Sequence, residues 1–507
     1  MNAPYFQNAL ALLLTALLLL ILLLIQLIKA TRGAVRDAGA WWRFGLAIIV
    51  WLLMVGWIHV SQTERHRLFF DEDVYANTAA NLLTGRGGTV TDVWIEGRKE
   101  THTYKWPIGF PALVAPAVAW LGTERGPAVF NEFCGALMLA VLMLLATRLA
   151  GDALAGAGAA CFYGLHPVIG GWHRSGSAEP LSALLLMLSL WAAVEHRREE
   201  SAAGRGRWLL ISLFAALIAF HVRLENVLVV APLALLFWKT KPALSIRQWM
   251  ILAPVGLALL FYLAAHVTGL KSYYLAQLPE STFSTSYFSD NLTVNLKFLV
   301  DHLPGPFVAL TAVGLVFLMT ARRGDGQARV WIALVLWQAL NFGLLLFYSV
   351  GQYKAPGGSR FLLLPMAVCS IIAAVFLCRI TVGKARYLLL GAGVVCYLII
   401  LPGVDKTWQS LDAQNRSPRL EHEAIREWAA GLPRSAVVIS RVPYLWENFG
   451  VFAISPEHVG VRSEAGTFDF YLHQGLFDQG NEQRPRDDLI VNSVMTEHGK
   501  VALYRLP

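Results

Sequence analysis

Long unbroken apolar runs dominate this chain, and neither helical periodicity nor strict alternation organises its first 400 or so positions. Runs such as Ala9–Ile28 and Trp41–Val60 reach the roughly 18–20 residues that a helix needs to cross a bilayer. The pattern predicts a polytopic α-helical membrane protein. The polar segments between the runs are of two kinds. One kind is basic: Lys29–Arg43, Arg148–Asp152, His196–Arg207, Lys239–Arg247, Arg322–Arg329 and Arg379–Arg386. Short basic loops stay on the cytoplasmic side. The loops between them then face outward: Ser61 to about Pro127, Gly170–Pro180, Thr268–His302, Tyr348–Arg360 and everything from Gly403.

One stretch tests that alternation. Trp208–Trp238 is apolar except for Arg223 and Glu225 near its middle. As one helix it would be about 46 Å long, would bury two charges and would put the flanking basic loops in opposite compartments. A hairpin with Arg223-Leu224-Glu225 at an outward turn keeps both loops inside, and this is the expected form. The count is then about 12 spans with both termini outside. Pro111–Leu121 is too short to span and is expected to lie along the interface or re-enter.

Three regions follow. Residues 1–43 form an extra span and a cytoplasmic loop. Residues 44–402 form the membrane body, with 61–127 a large outer loop carrying interfacial helices. Residues 403–507 change character. Ser417-Pro418 reads as a helix start, and short strand-like runs follow at Ala436–Ser440, Val451–Ile454, Leu489–Val494 and Val501–Leu506. This is a small extracytoplasmic α/β domain.

Composition narrows the function classes. The chain is 56% hydrophobic and 15% charged, against about 25% charged for a soluble domain. The net charge of +8 resides in topology-setting loops, so nucleic acid is not an expected partner. The five cysteines lie in apolar segments without metal-ligand spacing. Lys29, Arg32 and Arg36 follow the first apolar run, the reverse of a secretory signal, so that run is read as a retained span.

The unusual polar residues all fall on the outward side. Asp71, Glu72 and Asp73 open the first outer loop, with Tyr75 just after; Lys105 comes later in it. His173 and Glu179 belong to the second outer loop, Arg223 and Glu225 to the hairpin turn, and Lys354 and Arg360 to a later loop. Acids and cations converging at a membrane face suit one reaction class. A sugar carried on a polyprenyl phosphate holds its reacting carbon near the interface. A carboxylate would accept the proton of an attacking hydroxyl, and Lys or Arg would stabilise the departing lipid phosphate. No nucleotide is needed, and Gly85-Arg86-Gly87-Gly88 lacks the P-loop pattern.

Asp71-Glu72-x-x-Tyr75, with Ala79-x-Asn81-Leu82-Leu83-x-Gly85 after it, resembles the first outer loop of the GT-C glycosyltransferases, in particular the protein O-mannosyltransferase, lipid A aminoarabinose transferase and lipopolysaccharide galacturonosyltransferase group. Lys105-Trp106-Pro107 resembles that group's donor-phosphate lysine before a proline pair, with Trp106 in place of the first proline. Glu179-Pro180 resembles its acidic-proline pair. Arg223-Leu224-Glu225 resembles an arginine-proline-glutamate turn with the proline replaced, and Arg360-Phe361 its late-span arginine motif.

The resemblance implies a catalytic base at Asp71. Together with the clustering of polar residues on the outward loops, it makes Glu72, Tyr75, Lys105, His173, Glu179, Arg223, Glu225, Lys354 and Arg360 the candidate substrate contacts, His173 and Lys354 by the clustering alone, with Lys105 and Arg360 on the phosphate. The implied reaction is transfer of a monosaccharide from a polyprenyl-phosphate donor to a lipid, glycan or protein acceptor, with inversion, at the periplasmic face of a bacterial inner membrane. No metal site is expected: His102 and His173 lack a two-histidine spacing, and a divalent cation stays open without support from ligand spacing. Two rivals remain, a lipid-linked sugar transporter or flippase and a non-catalytic glycolipid-binding relative. A transporter would carry ionisable residues within its spans and inverted repeats, and neither pattern stands out here.

Overall fold

The computed structural model describes residues 12–19, 21–22, 41–61, 71–95, 98–103, 107–238, 256, 283–320, 325–349, 351–354, 357–381, 383, 385–414, 416–433, 435–456, 469–474, 489–496 and 499–506. The chain is mainly helical. Helix α1 (Trp41–Ser61) leads to the short α2 (Asp71–Leu83), a strand pair β1 (Thr89–Ile95) and β2 (Arg98–Thr103), and the long α3 (Gly109–Ala150). Then come α4 (Ala153–Gly164), α5 (Pro167–His173), α6 (Glu179–Arg198) and α7 (Ala202–Val222). After a 3-10 turn (Leu224–Val229) follow α8 (Val230–Phe237), α9 (Phe288–His302), α10 (Gly305–Thr320) and α11 (Asp325–Phe347). Another 3-10 turn (Gly358–Leu362) opens α12 (Leu363–Arg379), and α13 (Ala385–Gln414) closes the membrane part.

Among the described residues four helices are long and apolar enough to cross a bilayer: α3, α7, the Gln327–Phe347 part of α11, and Gly358–Arg379. Two bent pairs raise this to six if each is one span: α4 with α5, bent by 78°, and Thr285–His302 with α10, bent by 111°. Most of the expected first span, Ala9–Ile28, lies outside the described residues. Helix α6 is the centre of the bundle, buried from Glu179 to His196. It packs against α3 and α7. The α6–α7 contact is close because serines face each other: Ser189 Oγ donates to Ser212 O at 2.8 Å, and Ser212 Oγ donates to Ser189 O at 2.9 Å. Small hydroxyl residues are the usual means of such an approach between apolar helices.

The segment 111–121 lies in a short helical stretch that starts at Gly109 and ends at Gly122, where φ and ψ of +81° and 172° separate it from the longer stretch of α3 that runs to Ala150. Glycine is suited to that left-handed conformation. A Cβ on Gly126 would sit 2.8 Å from Ala117 O, so the chain turns back sharply there. The helix begins at Gly109 against the end of α7, and a Cβ there would sit 2.3 Å from His221 O.

The two ends of the bundle differ in chemistry. At one end the basic loops tie together. Arg148 Nε donates to Glu195 Oε1 at 2.7 Å, and Arg386 Nη1 to Asp152 Oδ2 at 3.0 Å. Arg379 donates to Leu149 O. Arg197 Nη1 donates to Leu236 O at 2.6 Å, and Arg329 Nη1 to Trp238 O at 3.0 Å. These contacts also settle the path of Trp208–Trp238. The chain leaves this end in α7, breaks at Arg223, whose φ and ψ of −151° and 129° are extended, and returns beside Arg197 at the end of α8. It is a hairpin.

Beyond the membrane part, α14 (Arg416–Gly431) is followed by β3 (Val437–Ile439), α15 (Pro443–Asn448), β4 (Phe452–Ile454), β5 (Phe470–Gln474), β6 (Ile490–Thr496) and β7 (Gly499–Arg505). Among the described residues the seven strands make one sheet, in the order β2-β1-β4-β3-β5-β7-β6. Strand β1 joins antiparallel to β4 through Val93↔Ile454 and Trp94↔Ala453. The first outer loop is therefore built into the C-terminal sheet, and the loop region carries a strand pair besides helices. Helix α13 runs through position 403, so the change of composition there is not a break in the backbone. The sheet and α14 close over Ile425, Val438, Leu445, Trp446 and Leu503.

Candidate active site

The site forms at the end of the bundle opposite the basic loops. Helix α2 starts there with three carboxylates in its first turn, where the exposed N–H groups favour negative charge. All three are buried: Asp71 is 5% exposed, Glu72 4% and Asp73 8%. They diverge. Asp71 faces a cavity of about 620 Å³ between α2, α6, the Arg223 turn, the end of α11 and the start of α12. Glu72 points the other way, accepting from Gly176 N at 2.6 Å in the loop before α6. Asp73 lies 3.5 Å from His422 Nδ1 on α14.

Inside the cavity the charges are chained. Arg360 Nη1 lies 3.4 Å from Asp71 Oδ2, and Arg360 Nε lies 3.0 Å from Glu179 Oε1. The same Glu179 oxygen pairs with Arg223 Nη1, and Arg223 Nε pairs with Glu225 Oε1. Both guanidinium carbons sit 5.3 Å from the centre of the Phe361 ring, close enough for cation–π attraction. Three acids and two arginines thus alternate along one wall. Apolar and aromatic side chains complete the cavity, among them Phe342, Leu345, Tyr348, Tyr353 and Pro365.

The sequence explains why these residues meet. Pro180 at the start of α6 fixes Glu179 in the first helical turn. Arg223 is held by the hairpin break, and Asn226 secures the turn after it. The Asn226 side-chain amide donates to Ser182 Oγ at 2.8 Å and to Ala219 O at 2.7 Å. Arg360 sits in the 3-10 turn before α12, after Gly357 at φ +72°.

Of the residues singled out in the sequence, Asp71, Tyr75, Glu179, Arg223, Glu225 and Arg360 all line this cavity. Tyr75 packs edge-on against Phe110 at 5.1 Å. Burial pushes its hydroxyl pKa well up, with the Asp71 charge adding to the effect, so it stays a hydrogen-bond donor. Glu72 is turned away, as described. His173 is also elsewhere: its Nε2 meets Tyr163 Oη at 3.1 Å and its ring abuts Gly135 on α3. Lys354 is exposed on the turn next to Tyr353. Lys105 lies outside the described residues; Pro107, two positions on, lines the cavity.

Sequence reasoning missed Asn226, Ser182, Tyr348 and Tyr353, and it named Phe361 only as part of the Arg360 motif. Tyr348 had a usable signal, being an aromatic residue at the edge of the outward loop that carries Arg360. Asn226 had one too, as a polar residue one turn past a charged hairpin apex. Among the described residues no three His, Cys, Asp or Glu side chains are grouped to hold a metal ion.

No family model matches the chain, and no curated protein sequence matches it significantly. Solved structures do. ArnT from Cupriavidus metallidurans, in the apo state, superposes with a TM-score of 0.55 at 14% identity, over 92% of this chain and 98% of that one. The same protein bound to undecaprenyl phosphate gives 0.54 at the same identity and coverage. The oligosaccharyltransferase AglB from Archaeoglobus fulgidus, in complex with an inhibitory peptide and a dolichol-phosphate, gives 0.48 at 12% identity, over 87% of this chain and 70% of that one. The chain shares the fold of ArnT over nearly the whole length of both chains. At this identity the likeness is one of fold, and the chemistry rests on the residues of the cavity.

Proposed function

We propose that this protein is a glycosyltransferase that moves one monosaccharide from a polyprenyl-phosphate donor to an acceptor hydroxyl at the outer face of the membrane. The observation that carries the reading is the meeting of Asp71 and Arg360, 289 positions apart in the chain, in one largely apolar cavity. That pairing supplies what the reaction needs. A carboxylate takes the proton of the incoming hydroxyl as its oxygen attacks the anomeric carbon. The bond to the phosphate oxygen breaks, and the lipid phosphate leaves with the bonding pair. Arg360 and Arg223 lie where that charge grows, in a setting where charge-assisted hydrogen bonds are strong. Direct displacement inverts the anomeric centre.

The apolar part of the wall suits the first units of a prenyl chain, and the fold likeness to a protein solved with undecaprenyl phosphate supports that donor class. Lys105 belongs to the proposal as a further phosphate contact, and Glu225 as a contact to the sugar. The lipid, glycan or protein nature of the acceptor and the inner-membrane location are part of the same reading.

The test is turnover by purified protein in lipid nanodiscs with a polyprenyl-phosphate sugar. Asp71→Asn is expected to lower kcat by roughly 10²–10⁴-fold while donor binding and thermal unfolding stay near wild type. Near-normal turnover in that variant would remove Asp71 as base. Movement of the donor across the bilayer without bond cleavage would replace the transferase with a flippase.

A further inference from the structure

Asp71 is the first residue of α2, and the opposite face of α2 is held by a single carboxylate from the C-terminal region. That carboxylate is Glu447, on α15. Its Oε2 accepts from the Asn77 side-chain amide at 3.0 Å and from Thr91 Oγ1 at 2.5 Å, and its Oε1 pairs with Lys99. One side chain therefore joins α2, β1 and β2 to a helix more than 340 positions further along the chain. The network extends inward. Asn77 Oδ1 accepts from Thr91 N at 3.0 Å and from Asn81 Nδ2 at 3.2 Å, and Asn81 Nδ2 also donates to Thr89 O at 2.9 Å. Asn77, Asn81 and Thr91 are fully buried, and the Lys99 side chain is 7% exposed. Burial lowers the Lys99 pKa, and Glu447 acts against that shift. Asn448, the next residue, donates to Asp73 O at 3.5 Å, and His422 faces the Asp73 carboxylate.

Resting on the transferase reading above, we infer that Glu447 is a positioning residue for that reaction: by fixing α2 against the β1–β2 pair and α15, it sets the Asp71 carboxylate relative to Arg360. The physical argument has two steps. A part-buried carboxylate with three donors is strongly localised, because losing Asn77 or Thr91 leaves an acceptor unsatisfied and losing Lys99 leaves its charge uncompensated. Asp71 lies six positions before Asn77, less than two turns of rigid helix away. A small shift at the Asn77 end therefore moves the base, and small misplacements of a reacting group cost rate. Glu447 does not line the cavity, so it acts only through α2.

The test uses full-length protein in nanodiscs. Hydrogen–deuterium exchange of the α2 amides reads the coupling without requiring any reaction, and transfer kinetics read its consequence. Glu447→Ala is expected to speed exchange in residues 71–83 and to lower kcat by roughly 10- to 100-fold, with KM for the lipid donor within twofold of wild type. Thr91→Val, which removes one donor and keeps the shape, is expected to act in the same direction and less strongly. It also serves if Glu447→Ala does not fold. The neutral pair Glu447→Gln with Lys99→Met is expected to recover much of the lost kcat, because it keeps the bridge to Asn77 without an unpaired charge. Unchanged α2 exchange in both single variants overturns the inference whatever the reaction is. So does a loss confined to donor KM. Faster exchange in a protein whose wild type transfers no sugar would leave the coupling standing and would refute the transferase reading alone.

Discussion

Asp71, Glu72 and Asp73 are consecutive, yet each carboxylate is held by a different part of the molecule. Asp71 meets Arg360, Glu72 meets the backbone before α6, and Asp73 meets α14. Their roles should separate accordingly. Glu72→Gln weakens a charge-assisted hydrogen bond to Gly176 N, so it is expected to cost about 1.5–3 kcal/mol of stability with donor KM unchanged, as read by thermal unfolding in detergent and by steady-state kinetics. Glu179 is the hinge of the cavity network, since one oxygen serves both arginines. Glu179→Ala leaves two half-buried guanidiniums short of counter-charge and is expected to cost about 1.5–3 kcal/mol by the same melt. The residues of this network were legible in the sequence as out-of-place charges on outward loops. Their pairing was not, because loop order says nothing of which arginine reaches which acid. That Glu72 turns away from Asp71 follows once the segment is known to open a helix, where successive residues point about 100° apart.

At the scale of elements, the hairpin at Arg223 could be read because both flanks are basic and a membrane sorts loops by charge. The asparagine that secures its turn could not, because its partners, Ser182 and Ala219, are met only after folding. Asn226→Leu is expected to cost about 1–3 kcal/mol by leaving those partners unpaired, and to lower transfer with it, since Arg223 loses its seat. A detergent melt and a turnover assay check both. Helix α9 shows why polarity alone misleads. Its Asn291, Asn295 and His302 face inward, while Leu296 and Val300 face out. Asn291 donates to Leu345 O at 3.0 Å and Tyr348 O at 2.8 Å, and Asn295 accepts from Tyr353 N at 2.8 Å. The exposed face of α9 is mixed, with Asp290, Lys297 and Asp301 beside Leu296 and Val300, so polarity alone does not tell which face is buried. The β1–β2 pair was hidden for another reason. Thr89–Ile95 has strand composition, but its outer neighbour, β4, follows more than 350 positions later.

The whole molecule has two chemically distinct ends, and every functional statement depends on which compartment each faces. Charge orders them. Arg148, Arg197, Arg329, Arg379 and Arg386 cluster at one end, tied to carbonyls and to Glu195 and Asp152. The cavity, the seven-stranded sheet and the α9 helix occupy the other. Retention of basic loops predicts that the first end faces the cytoplasm, and under the proposed function the donor sugar would then be met outside, away from nucleotide sugars. Single cysteines test this directly. Glu200 is exposed beside the basic cluster, and Thr285 is exposed next to Phe283, which lines the cavity. A membrane-impermeant maleimide applied to intact spheroplasts is expected to label Thr285→Cys and to spare Glu200→Cys until the membrane is permeabilised, with the unsubstituted chain as the background control. Labelling in the reverse order would put Asp71 and Arg360 in the cytosol. The reaction would then compete with nucleotide sugars for its acceptors, and the apolar wall beside the arginines would need an occupant other than a lipid-borne sugar presented from the outer leaflet.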